Sequence, residues 1–239
     1  MIFGAILAGG IGSRMNISNM PKQFLPLGNK AIIIHTLEKF LISNRFDQVY
    51  LGVHSNWIQY CQDLINQFVP QGQLSKVHIV NGGRDRNATI RQIITAIEKD
   101  WGTSEDHIIV THDSVRPFVS LRMLDENIRA AQEYGACDTV IPATDTIVVS
   151  EDGQQIKEIP QRGEMYQGQT PQSFKLGMLK ELYESLSDDE LSLLTDACKV
   201  CLLRNTPVHL VMGDVSNMKL TTVEDYRIAQ ALIGLKTHD

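Results

Sequence analysis

"IFGAILAGGIGSRM", residues 2–15, is an apolar run of strand length that ends in three closely spaced glycines, Gly9, Gly10 and Gly12. Continuous apolarity without strict alternation is how a strand buried on both faces reads. Glycines directly beyond such a strand form a loop at its carboxyl end, the edge of an open α/β sheet where ligands bind. Backbone N–H groups approach phosphate oxygens closely where no Cβ intervenes, so the loop points to a nucleotide phosphate. It is not a dinucleotide fingerprint. Met15 stands where the third glycine would fall, and the second strand, "VYLGVH", ends in His54 rather than an acid. Nor is it the loop of motor and GTP-hydrolysing enzymes, because "GGIGSRM" lacks the lysine followed by Ser or Thr. Instead Arg14 and Lys22 lie nearby, a fork and a point charge suited to a triphosphate. On the residues alone, a strained turn with two solvated cations is the alternative.

The same pattern recurs down the chain. "QVYLGVH", "KVHIV", "HIIVTH", "DTVIPA" and "PVHLVMG" read as strands. Between them come helical spacings: Leu37, Phe40 and Leu41; then Ile58, Cys61, Leu64, Ile65 and Phe68 behind Ser55 as N-cap. Ile90, Ile93, Ile94 and Ile97 form a third, and Leu121, Leu124, Ile128 and Ala131, stopped by Gly135, a fourth. Ser187 with Glu190 and Thr222 with Asp225 have the spacing of capping boxes. This alternation predicts a three-layer α/β domain with a mostly parallel sheet. "DTIVVSEDGQQIKEIPQR" (145–162) breaks it and reads as a β-hairpin turning at Asp152-Gly153. An isolated hairpin is marginal in water, so a second subunit is expected to cover it.

A chain of 239 residues with formal charge −6 and no Lys/Arg run lacks the basic footprint that nucleic acids or anionic membranes require. Its apolar runs are short, and the N-terminus lacks the basic region and cleavage site of a signal peptide, so a cytoplasmic protein is expected. No linker or internal repeat divides it, and one domain over 1–239 is expected. The four cysteines are too scattered for a disulfide framework; Cys198 and Cys201 share C-x-x-C spacing but have no second pair for zinc and read as buried structural residues. The seven histidines form no ligand cluster.

"LAGGIGSRM", "PKQF", "GGRDRNATI", "THDSVRP", "QTPQSF", "TDAC" and "NMKLTT" occur in that order. Together they resemble the cytidylyltransferases that activate polyol phosphates with CTP, over about residues 2–235. "HTLEKF", "HDSVRPF", "MYQGQTPQ" and "TDACK" are closer to the ribitol-5-phosphate members than to the 2-C-methyl-D-erythritol 4-phosphate members. The resemblance implies a nucleotidyltransferase (Rossmann-like) fold with a protruding hairpin arm at about 144–163. It also implies transfer of CMP from CTP to D-ribitol 5-phosphate for teichoic acid or capsule precursors. The methylerythritol reaction of isoprenoid synthesis is the alternative.

The resemblance likewise implies roles. Arg14, Lys22 and Lys219 would be catalytic, the first two on the triphosphate and Lys219 beside the reacting phosphates. Leu7, Ala8, Gly9, Gly10, Gly82, Gly83, Asp85, Thr89 and Ser114 would bind CTP. Asp113, at the carboxyl end of "HIIVTH", suits a hard cation and would hold Mg²⁺. Asp113, Arg116, Thr146, Arg162 and Thr170 would meet the polyol phosphate, the arm supplying some of them to the partner of a homodimer. Read without the resemblance, Asp113 could instead cap a helix, Arg116 could pair with an acid, and residues 82–90 could be a plain turn. Arg86 reads as structural. A sugar-1-phosphate nucleotidyltransferase using UTP or GTP and a catalytically idle nucleotide-binding domain are the rival classes.

Overall fold

The computed structural model describes residues 1–10 and 20–235, so Gly12 and Arg14 lie outside the described residues. In chain order the elements are β1 (Ile2–Ala8), β2 (Pro26–Leu27), β3 (Lys30–Ala31), α1 (Ile32–Ile42), β4 (Gln48–Val53), α2 (Ile58–Phe68), β5 (Val77–Asn81), α3 (Arg86–Trp101), β6 (Ile108–Asp113), α4 (Leu121–Tyr134), β7 (Ala136–Pro142), β8 (Tyr166–Lys175), α5 (Leu176–Glu184), α6 (Asp188–Ser192), α7 (Cys198–Leu203), β9 (His209–Met212) and α8 (Val223–Leu235). A seven-stranded sheet runs β5-β4-β1-β6-β8-β7-β9. It is parallel throughout except where β8 lies antiparallel between β6 and β7.

The expected both-face burial is present. In β1, Phe3 and Ala5 pack with α3, α5 and α7, whereas Ile6 and Ala8 pack with α1, α2 and α4. A smaller cluster of Leu25, Leu27, Ile32, Val115, Leu220 and Ala229 ties α8 to the base of the loop region. The predicted helix stop is met at Gly135, whose φ of 86° suits glycine. Both capping boxes form reciprocally. The N-cap at Ser55 does not: His54 accepts from the Asn56 N–H and opens a short 3-10 turn, and α2 begins only at Ile58.

Two further differences from the sequence reading matter. The strand β8 carries little apolar signal, since Gln169, Thr170, Gln172 and Ser173 make up most of its buried stretch, with Phe174 at its end. It is stable there because each of these side chains finds a hydrogen-bond partner, as buried polar groups must. The arm turns at Gly153 with φ of 70°, and the Asp152 carboxylate accepts from the N–H groups of Gln154 and Gln155. Its two limbs, however, meet in a single antiparallel bridge, Val149 with Glu158, rather than in a ladder. No helix among the described residues is long and apolar enough to cross a membrane.

Candidate active site

In the sheet β4 and β5 lie on one side of β1 and β6 on the other, so the loops leaving β1 and β6 diverge over a crevice. Leu7 and Asp113 are register partners there, which sets the glycine loop beside the last residue of β6. Leu7, Ala8, Gly9, Gly10, Lys22, Asp85, Thr89, Asp113, Ser114 and Lys219 all line one open pocket, joined by Gln23, Arg84, Arg86 and Val115. Residues far apart in the sequence thus converge where the strand order reverses, as open α/β sheets require of a ligand site.

The two described glycines of the loop differ in their surroundings. A Cβ on Gly9 would stand 2.8 Å from Thr89 Oγ1 and 3.3 Å from the Gly83 carbonyl oxygen, so glycine is needed for the loop to pack on residues 82–89. Among the described residues a Cβ on Gly10 would meet nothing within 4 Å, and Gly10 lines the pocket. Beneath them the buried Gln23 donates through Nε2 to the carbonyls of Ala8 and Gly10, both at 2.9 Å. Nothing in the sequence alone assigns Gln23 a role. Its only signal was its place in the "PKQF" motif.

The opposite wall is the turn into α3. Asp85 caps that helix by accepting from the Ala88 N–H at 2.7 Å. Thr89 Oγ1 accepts from the Gly83 N–H at 3.1 Å and donates to the Asp85 carbonyl at 2.8 Å, so its hydroxyl shapes the glycine turn from within. Gly82 sits behind Gly9, where an added Cβ would come within 3.1 Å of the Gly9 Cα.

Asp113 is the electrostatic centre. Its Oδ1 accepts from Arg86 Nη1. Its Oδ2 lies 3.0 Å from Lys219 Nζ and 3.4 Å from Arg116 Nε. Burial alone would push this carboxyl up, but Arg86, Lys219 and Arg116 more than offset it and hold the group well below the usual carboxylate range. Three cations around one carboxylate leave an excess of positive charge beside an open backbone loop, which is a receptor for polyanions. Ser120, not Asp113, caps α4.

Arg116 and Thr170 are buried behind Asp113 and do not line the pocket. Arg116 Nη1 donates to the Asn217 carbonyl at 2.7 Å, and Thr170 Oγ1 accepts from the Asp113 N–H at 3.2 Å while pairing with His112 Nδ1 at 2.9 Å. Burial pushes His112 down to about 4, so its ring is neutral at physiological pH. Thr146 and Arg162 sit on the exposed arm, where Arg162 Nη1 donates to the Thr144 carbonyl at 3.4 Å. Neither lines the pocket around Asp113.

Cys198 and Cys201 are buried as expected. Cys198 nevertheless belongs to an acidic group with Asp138 and Asp196, whose potential ligand atoms lie within 4.8 Å of one another. Gln172, on β8, donates to both carboxylates. Burial, reinforced by Asp196 and partly offset by this amide, pushes Asp138 up to about 6. The metal residue expected from the sequence, Asp113, is a single carboxylate with both oxygens already engaged by cations. That donor set does not build a metal site from protein alone.

The family model described as IspD, 2-C-methyl-D-erythritol 4-phosphate cytidylyltransferase, matches residues 2–235. A ribitol-5-phosphate cytidylyltransferase of Streptococcus pneumoniae is 48% identical over 233 residues, 98% of this chain and 99% of that protein. Among solved structures, the 4-diphosphocytidyl-2C-methyl-D-erythritol synthase of Anaerococcus prevotii superposes with a TM-score of 0.80 at 25% identity, covering 98% of this chain and 96% of that one. The 2-C-methyl-D-erythritol 4-phosphate cytidylyltransferase of Thermus thermophilus gives 0.74 at 25% identity, over 97% and 98% of the two chains.

Proposed function

Since this chain belongs to the 2-C-methyl-D-erythritol 4-phosphate cytidylyltransferase family, and so is a nucleotidyltransferase, we propose that it transfers CMP from CTP to D-ribitol 5-phosphate, giving CDP-ribitol and pyrophosphate. The observation that carries this reading is the cluster of Arg86, Arg116 and Lys219 on Asp113 beside the glycine loop. The choice of ribitol rests on the 48% identity to the pneumococcal enzyme.

In this reaction an oxygen of the ribitol phosphate forms a bond to the α-phosphorus of CTP, and the bond from that phosphorus to the bridging oxygen of pyrophosphate breaks. The attacking phosphate has a second pKa near ~6 and is already largely dianionic at neutral pH, so no side chain need remove a proton. The protein's task is to screen two anions from each other and to stabilise charge on the transferring group and on the pyrophosphate. Lys22 and Arg14 are assigned to the triphosphate, with the Gly9-Gly10 backbone. Lys219 lies 3.0 Å from Asp113 at the pocket wall and turns from that carboxylate to the reacting phosphates. Gly82, Gly83, Asp85 and Thr89 frame the cytosine and ribose, and Ser114 the opposite side. Arg116 and Thr170 hold Asp113 from behind. Mg²⁺ brought in with CTP would add charge neutralisation at the phosphates, while Asp113 keeps its place among Arg86, Lys219 and Arg116.

The chain acts as one domain, 1–239, in a cytoplasmic homodimer. The arm at 144–163 carries Thr146 and Arg162 to the polyol phosphate in the neighbouring subunit. The product feeds teichoic acid or capsule synthesis. A second reading, transfer to 2-C-methyl-D-erythritol 4-phosphate, is favoured by the family description and keeps every residue in its role. Pyrophosphate release from CTP and Mg²⁺, with the two polyol phosphates offered in parallel, tests the choice. Turnover with ribitol 5-phosphate alone is expected. Turnover with methylerythritol phosphate alone would replace the substrate and keep the chemistry, and turnover with neither would remove both.

A further inference from the structure

Asp138 and Asp196 form a close acidic pair that the chemistry above does not use. Burial disfavours the charged form of Asp138, so the pair is poor evidence of a device for stability. What it touches suggests another role. Gln172, 1% exposed on β8, donates through Nε2 to Asp196 Oδ1 and Oδ2 at 2.9 and 2.8 Å and to Asp138 Oδ1 at 3.0 Å. Ionised carboxylates only accept, so they fix the NH₂ end of the amide toward themselves and turn its oxygen the other way. That oxygen accepts from Arg86 Nη2 at 2.9 Å, and Arg86 Nη1 donates to Asp113. Arg86 Nε is buried without a hydrogen-bond partner, so the guanidinium is aimed by Asp113 at one end and by Gln172 at the other. Asp196 is itself held by the Cys198 N–H at 2.8 Å, at the start of α7.

We propose that Asp196 and Asp138, acting through Gln172, are positioning residues that lock Arg86 onto one oxygen of Asp113 and so keep Lys219 available to the phosphates. Arg86 is then the resident counter-ion of Asp113. If its guanidinium drifted, Asp113 would draw Lys219 more strongly and withhold it from the transferring group. The chain of contacts ties the "TDAC" segment to the pocket through one amide whose polarity only acceptors can set.

The inference rests on the cytidylyltransferase reading and is tested with the full chain by a double-mutant cycle. Asp196→Asn and Arg86→Gln are made singly and together, and pyrophosphate release is measured with whichever polyol phosphate the wild type accepts. A wrong choice of ribitol therefore leaves the cycle standing. The amide introduced by Asp196→Asn can donate as well as accept, so Gln172 loses its fixed polarity. In the wild-type background Asp196→Asn is expected to lower kcat about tenfold, within the coupling range of one hydrogen-bond network, with the Kd for CTP changed less than about twofold. In the Arg86→Gln background the same substitution is expected to change kcat less than about twofold. A purely structural role for Asp196 would give losses that multiply, and multiplication overturns the proposal, as does an unchanged kcat in Asp196→Asn alone. Should Asp196→Asn fail to fold, Gln172→Met, which keeps the volume and cuts the link, completes the cycle with the same two outcomes.

Discussion

The pocket and the arm are built on opposite principles. Around Asp113 the side chains are buried and tied to one another: Arg86 to Gln172, Arg116 to Asn217, Thr170 to His112, and Gln23 to the loop carbonyls. The arm has one bridge between its limbs and leaves Val148, Val149, Ile156 and Ile159 exposed, the last two at 62% and 58%. The side chains around Asp113 satisfy one another within a single chain. A single chain does not finish the arm, because apolar side chains on a marginal hairpin gain stability only when another surface covers them. The contrast teaches which region is satisfied by its own contacts and which presents apolar surface for another to cover.

The sharpest way to break the comparison is at the pocket. Lys219→Ala removes the exposed cation of the Asp113 cluster, and kcat is expected to fall by about 10²–10³, the usual cost of losing a preorganised stabiliser of developing charge. Steady-state pyrophosphate release measures it; a fall of less than about fivefold would take Lys219 out of the chemistry.

At the arm, Arg162→Ala is expected to raise the KM for the polyol phosphate at least tenfold while the Kd for CTP, measured by calorimetry without acceptor, stays within about twofold. Mixing this variant with Lys219→Ala after unfolding and refolding together sharpens the test. If the arm serves the neighbouring site, half of the dimers are mixed and each has one intact site, so activity returns to about a quarter of wild type for a two-fold symmetric assembly. No recovery would mean that each arm serves its own chain or none.

Smaller effects separate the two glycines. Gly9→Ala forces a methyl against Thr89 and the Gly83 carbonyl and is expected to lower stability by about 1–3 kcal/mol, the range for overpacking. Gly10→Ala meets no described atom within 4 Å, so its Tm should match wild type while CTP binds more weakly. Equal Tm losses would show that the loop is one packed unit rather than a packed half and an open half.

The smallest expected effect is a pH dependence. Asp138, ordinarily near 3.8, is pushed up to about 6 in the folded chain. Its stabilising contribution is therefore complete below about 3.8 and is lost as pH rises through 6, because the unfolded chain ionises first. The Tm of wild type relative to Asp138→Asn should fall between pH 4 and pH 7. A flat difference would mean that the group titrates normally.

The sequence by itself determined much of this protein. Apolar runs and helical spacings specified β1, β4 and β6 with α1 to α4, since a strand buried on both faces has no choice but to be apolar. The order of short motifs specified the family, and the glycines after β1 marked the edge where the site lies. Only the tertiary structure decided the rest. The strand β8 is polar, and Gln169, Thr170, Gln172 and Ser173 belong in a sheet only because partners on other elements satisfy them. Arg86, which reads as structural, and Gln172, to which the sequence alone assigns nothing, acquire their places from Asp113, Asp138 and Asp196, residues brought together by two different strands and a loop. A periodicity reports which face of an element is dry. It carries no record of which distant carboxylate a buried cation will meet, because that is fixed by the packing of the whole sheet.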